Sequence, residues 1–290
     1  MTDPRLVVSA APALRTPAER RQVRTSIERL LGTNVDLREW YHIAARDPRL
    51  APIAARFQGV KPPRLLTIFE TLVNAFACQQ LSLVVGLELL NRLAALSGAG
   101  RGAGGAIHYA FPAPADIVRH RASSYRSIGF SRQKIKALLQ LARGVDRGEI
   151  ALEDLEREDD AEVRERLLAI GGVGRWSADY VFLRGLGRLH VFPSDDVGAQ
   201  NNLARWLGRS KPLDSAGVIR AARKWQPYSG MVYFHLLLDG LSRAGLLDPA
   251  APGARGAAQA AAASAPGPSA PPGAGAASMR RRHSSRTTTP

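Results

Sequence analysis

Residues Leu167–Arg184 read LLAIGGVGRWSADYVFLR. Val163, Leu167 and Ile170 fall at i, i+4 and i+7, the spacing of one apolar helix face, and carry a helix to Ile170. Gly171-Gly172-Val173-Gly174 then predicts a tight turn, because glycine lets the backbone turn sharply and approach a ligand closely. A second helix starts near Trp176. Its first-turn N–H groups lack helical partners and point into the turn, where the helix dipole adds partial positive charge. A phosphate fits there, with an amide and a hydroxyl from Ser177 close by. Glycine spacing alone leaves two readings open. One is a sequence-independent grip on the backbone of a DNA strand. The other is an ordinary glycine-rich turn between two helices.

Working outward, Asp195 and Asp196 come about one helix-length after this stretch, in Val191-Phe192-Pro193-Ser194-Asp195-Asp196-Val197-Gly198. The extended connector Arg188–Phe192 delivers the two carboxylates to the start of a helix running toward Leu207. Cleavage of an N-glycosidic bond passes through a positively charged, oxocarbenium-like sugar. A carboxylate beneath that sugar stabilises the charge and orients or deprotonates the attacking water. The competing reading is helix capping. Two adjacent acids allow both, one as cap and one as catalyst.

The rest of the body also reads as helical. From Glu70 to Leu93, residues Leu72, Val73, Phe76, Leu83, Val84, Leu87 and Leu90 fall on a broad apolar stripe. Ser131 is placed to cap a helix through Ile135, Leu138, Leu139 and Leu141. Strand signals are few, with Leu6–Ser9 the one short candidate. Pro62–Pro63 marks a break. These features predict an N-terminal segment, mostly helical, over 1–61; a helical core over 62–248, with its hairpin at 162–187; and a tail over 249–290. The Ala-, Pro- and Gly-rich tail is expected to be disordered, since it has too little apolar surface to offset its ordering entropy.

Composition narrows the function classes. The formal net charge is +15, and Arg255, Arg280, Arg281, Arg282 and Arg286 supply five of those charges in a tail without acids. An excess of this size favours a polyanionic partner such as nucleic acid. Cys78 is the only cysteine, which excludes an internal disulfide, a Cys-ligated zinc site and a four-Cys iron–sulfur cluster. The six histidines show no metal-binding spacing. With no bilayer-length apolar run and no secretion signal, a cytoplasmic, nucleoid-associated protein without membrane contacts is expected.

Between Pro62 and Leu247 the chain resembles the helix-hairpin-helix DNA glycosylases, specifically the DNA-3-methyladenine glycosylase II family. Four pieces carry the resemblance. They are Cys78-Gln79-Gln80-Leu81-Ser82, Ser127-Ile128-Gly129-Phe130-Ser131-Arg132-Gln133-Lys134, the hairpin with its helix at Gly172–Tyr180, and Phe192–Gly198 followed by Trp225-Gln226-Pro227-Tyr228. The resemblance implies an all-α fold, two helical subdomains flanking a cleft. It implies Asp196 as the catalytic carboxylate with Asp195 as helper. Gly172, Gly174 and Ser177 would bind phosphate, and Trp176, Tyr180 and Tyr228 would form the base pocket. Gln80 would fill the gap left by a flipped base, while Trp225 is expected to pack.

Glycosylase-lyases of this superfamily carry a lysine where this chain has Trp176, so a monofunctional enzyme is expected. Its implied partner is double-stranded DNA with damaged, alkylated purines, and it would act as a monomer. No cofactor is implied, though the hairpin carbonyls offer a place for a monovalent cation. Gly171 stands where proline is common, and Ser229 where arginine is common. Only Leu6–Ser9 resembles a strand of the family's N-terminal β domain, so little or none of that domain is expected here.

Overall fold

The computed structural model describes residues 6–10, 13–103 and 106–247. Three helices come first: α1 (Pro17–Leu31), α2 (Arg38–Ala45) and α3 (Ala51–Arg56). Then follow α4 (Ile68–Cys78), α5 (Leu83–Ser97) and the strands β1 (Gly100–Ala103) and β2 (Ala106–Tyr109). The chain continues through α6 (Pro114–Val118), α7 (Ala122–Ser127), α8 (Arg132–Asp146), α9 (Asp160–Ala169) and α10 (Arg175–Tyr180). It closes with α11 (Val197–Trp206), α12 (Ser215–Ala222) and α13 (Ser229–Arg243). Among the described residues, no helix is long and apolar enough to cross a membrane.

Two hydrophobic clusters divide this helical body. The first gathers α4 to α10 around Leu72, Phe76, Leu93, Leu138, Leu167 and Phe182. In α8, Ile135, Leu138, Leu139 and Ala142 repeat at helical spacing and are buried, and the Ser131 hydroxyl caps the helix by accepting from the Lys134 amide at 3.3 Å. The second cluster joins α2 and α3 to α11, α12 and α13 around Trp40, Leu50, Leu203, Trp225 and Met231. Helices on the N-terminal side of Pro62 thus share a core with the last helices of the chain. Burying each large side chain completely contributes about 1.5–3 kcal/mol. Trp225 packs as expected, 1% exposed, with its indole donating to Asp47 Oδ2 at 3.0 Å.

Val191 and Phe192 show how the clusters meet. They are neighbours in an extended connector, whose side chains point to opposite sides. Val191 enters the first cluster and Phe192 the second. The carboxylate loop therefore begins where the chain crosses between subdomains.

Several expectations change. Leu6–Ser9 forms no strand and is exposed, because nothing among the described residues pairs with it. The stripe from Glu70 to Leu93 is two helices, broken at Gln79–Ser82 where the Ser82 hydroxyl starts α5. Leu83, Val84 and Leu87 are more than 40% exposed, since only the Gly86, Leu89, Leu90 and Leu93 face of α5 packs. The antiparallel hairpin β1–β2 pairs Gly100 with Tyr109 and Arg101 with His108. Its low-hydrophobicity strands carried no alternating signal. The tail over 249–290 lies outside the described residues.

Candidate active site at the subdomain junction

The hairpin lies between α9 and α10. Asp159 caps α9 through the amides of Ala161 and Glu162, and the chain leaves that helix at Ile170. Gly172 has φ +91°, and a Cβ there would stand 2.6 Å from the Cβ of Ala137 on α8. Both facts demand glycine. Gly174, at the N-cap of α10, has nothing within 4 Å of the Cβ position, so its surface is open. The amides of Gly172 and Gly174 find no acceptor among the described residues. The Ser177 hydroxyl differs from expectation: the residue is 1% exposed and this oxygen accepts from Gln79 Nε2 at 2.8 Å, so the side chain turns into the protein.

Gln79 is a residue that sequence reasoning passed over. Besides Ser177, its amide donates to the Gly172 carbonyl at 3.1 Å, tying the end of α4 to the hairpin. Lys134 secures the same corner by donating to the carbonyls of Ala77 and Gln79 at 2.7 and 2.8 Å. Gln80 stands exposed at the tip of this turn with φ +57°. A non-glycine residue in that region is strained, and such strain persists where surrounding contacts impose it.

Beyond the hairpin, Trp176 and Tyr180 lie one turn apart on α10. Their rings stack, with centroids 5.4 Å apart and planes 25° from parallel. A planar ligand therefore has no room between them and meets an outer face instead. The Tyr180 hydroxyl donates to Asn74 Oδ1 at 2.8 Å. Burial pushes that hydroxyl's pKa up to about 12, against the pull of Arg184. The guanidinium of Arg184 sits 5.7 Å from the Tyr180 ring centre. After Tyr180 the helix widens into a π turn over Val181–Gly185, where the Leu186 amide donates to the Val181 carbonyl. Arg29 and Arg64 converge on the Gly185 carbonyl at its end.

Asp196 faces this stack. Its Oδ2 accepts from Trp176 Nε1 at 3.0 Å and from the Tyr233 hydroxyl at 3.1 Å. Its Oδ1 accepts from the Ala199 amide at 2.8 Å, which makes Asp196 the N-cap of α11. Cap and facing carboxylate are thus one residue, not two. Asp196 is partly exposed and forms no ion pair among the described residues.

Asp195 points elsewhere. It accepts from the Ser215 hydroxyl and lines a cavity of about 420 Å³ on the other side of the loop, with Arg164, Arg175, Asp179 and Arg223. There Asp179 accepts from Arg164 at 2.8 Å, while burial raises its carboxyl pKa. Gln200 donates to the Ser194 carbonyl, and the Ser215 hydroxyl lies 3.2 Å from the same oxygen, bracing the loop.

Tyr228 is not brought to Trp176 and Asp196. Its hydroxyl lies 3.2 Å from Glu39 on α2 and its ring is tilted against Trp40, because the Trp225 anchor turns this element toward the second cluster. Ser229 instead pins the connector by donating to the His190 carbonyl at 2.6 Å. Tyr233, one turn further along α13, supplies the hydroxyl at the site. A tyrosine on an apolar helix carried no signal in the sequence.

Fold and site define a class: a two-subdomain helical protein in which a glycine hairpin, an aromatic stack and a loop carboxylate meet at the junction. The family model for the HhH-GPD superfamily of base excision DNA repair proteins matches residues 73–227, and the chain belongs to that superfamily. It is 33% identical over 162 residues to DNA-3-methyladenine glycosylase 1 of Schizosaccharomyces pombe, covering 56% of this chain and 67% of that one. It is 25% identical over 201 residues to a DNA-3-methyladenine glycosylase of Bacillus subtilis, covering 69% of this chain and 66% of the relative. The matched region thus spans about two thirds of these curated relatives. A 3-methyladenine DNA-glycosylase structure from Archaeoglobus fulgidus superposes with a TM-score of 0.70 at 27% identity, over 78% of this chain and 76% of that one.

Proposed function

We propose that this protein is a monofunctional DNA glycosylase that flips alkylated purines of the 3-methyladenine type out of duplex DNA and hydrolyses their bond to deoxyribose, initiating base excision repair. One observation carries the reading: the Asp196 carboxylate, without an ion-pair partner among the described residues, meets the Trp176–Tyr180 stack directly beside the hairpin.

The parts divide the chemistry. The open hairpin amides grip a phosphate and set the register of the strand. Gln80, on its strained turn, fills the space vacated by the flipped base. That base stacks on the outer face of Trp176. Methylated purines such as 3-methyladenine are cationic, and a cation on an aromatic face gains about 0.5–2 kcal/mol. The Asp196 carboxylate stabilises the oxocarbenium-like sugar as the bond breaks and orients water to its C1′. A cationic base leaves as a neutral molecule, so no protein acid is needed. Asp195, facing the opposite cavity, acts on the loop's conformation rather than on the sugar. The three named relatives, each called a 3-methyladenine glycosylase, support the same substrate class.

The test is release of methylated bases from dimethyl-sulfate-treated duplex DNA, read by chromatography. The wild-type protein is expected to release them, and Asp196→Asn to lose at least about 100-fold in rate, a few kcal/mol of transition-state stabilisation. Asparagine still caps a helix well, so stability and DNA binding should survive. Undiminished release by that variant would refute the assignment.

A further inference from the structure

A carboxylate offers about four acceptor directions. At Asp196, Oδ2 already receives two donors, Trp176 Nε1 and the Tyr233 hydroxyl, and Oδ1 receives the Ala199 amide. One direction, on Oδ1, remains. The two side-chain donors come from opposite subdomains, Trp176 from α10 beside the first cluster and Tyr233 from α13 in the second. The carboxylate is thus held across the junction.

Tyr233 is itself fixed. Its ring meets Phe192 edge-on, with centroids 5.4 Å apart at 75°. The ionisable groups facing it are Asp196, Tyr180 and Arg184. Burial, then the charge and hydrogen bond of Asp196, raise its hydroxyl pKa well above the ordinary value, so it stays a donor at every working pH.

We propose that Tyr233 is a positioning residue for Asp196: its hydroxyl saturates Oδ2, fixes the carboxylate rotamer and leaves Oδ1 as the single acceptor for the attacking water. This role rests on the glycosylase reading above. Hydrogen bonds to a charged group strengthen in a partly buried site, so the effect should be measurable.

Tyr233→Phe removes one oxygen and keeps the ring against Phe192. Single-turnover base release from dimethyl-sulfate-methylated duplex should fall roughly tenfold, since a hydrogen bond to a charged group is lost. Affinity for duplex carrying a tetrahydrofuran abasic analogue should not change. The acid limb of the rate profile should move to higher pH, because a carboxylate that loses a donor holds its proton more tightly. 3-Fluorotyrosine at position 233, a stronger donor, should move that limb the other way. Asp196→Asn is measured alongside. If Asp196→Asn is inactive while both Tyr233 variants keep the wild-type rate and acid limb, the positioning role is wrong and the glycosylase reading stands. If wild type releases no base, or Asp196→Asn is fully active, both fall together.

Discussion

The indole N–H of Trp176 donates to Asp196 Oδ2 across 3.0 Å, joining the helix that follows the hairpin to the cap of α11. The same ring stacks on Tyr180. One side chain therefore both touches the carboxylate and, in the proposed complex, offers its outer face to a base.

These two contacts can be separated. Trp176→Phe keeps an aromatic wall and deletes the donor. Base release should drop about tenfold, consistent with losing about 1.5 kcal/mol at a charged acceptor, and binding of undamaged duplex should stay as it is. A wild-type rate in that variant would show that the indole serves stacking alone.

The hairpin glycines should fail in different ways. At Gly174 the Cβ position is open, so Gly174→Asp should leave the melting temperature nearly unchanged. It should weaken binding to damaged and undamaged duplex alike, by placing a negative charge where the proposed phosphate would sit. Gly172→Ala meets the Ala137 Cβ and a backbone at φ +91°, so it should destabilise the fold by about 1–3 kcal/mol through overpacking and strain. Thermal melting and a salt-dependent binding titration distinguish the two. Equal loss of stability in both variants would count against an open phosphate site.

Strand scission is not expected. A β-lyase needs an amine that is partly neutral and within reach of the sugar C1′, and the family resemblance puts Trp176 where glycosylase-lyases carry that lysine. Lys134 is the lysine nearest to qualifying, because burial lowers its pKa. Its amine, however, is committed to the carbonyls of Ala77 and Gln79. The product strand should stay intact until hot alkali is added, and borohydride should trap no adduct. A trapped complex that disappears in Lys134→Arg would identify that lysine as a nucleophile and overturn the monofunctional assignment.

Much of this architecture was legible in the sequence because its determinants are local. Helix periodicity marked the buried face of α8, Ser131 marked its start, and the glycine run marked the turn before α10. The Asp196-Val197-Gly198 segment marked the start of α11 for the same reason: a capping residue and its helix are neighbours in the chain. Periodicity could not say which helix faces find partners. Leu83, Val84 and Leu87 match an apolar stripe as well as Leu89 and Leu93 do, yet only the latter meet another helix.

The sequence by itself determined a helical body, a glycine turn between two helices, and two adjacent carboxylates at the start of a later helix. The family resemblance pointed to Asp196 over Asp195, but the physical reason why it is Asp196 that faces the aromatic stack lies in the tertiary structure. Asp195 and Asp196 are chemically identical and adjacent, and the choice follows from the crossing at Val191–Phe192 and from the capping geometry of α11. It also turned Tyr228 toward Glu39, buried the Ser177 hydroxyl against Gln79 and brought Tyr233 to Asp196. Each of these contacts joins residues at least 37 positions apart. Such pairings depend on how separate helices pack in space, and no local pattern of residue types encodes that.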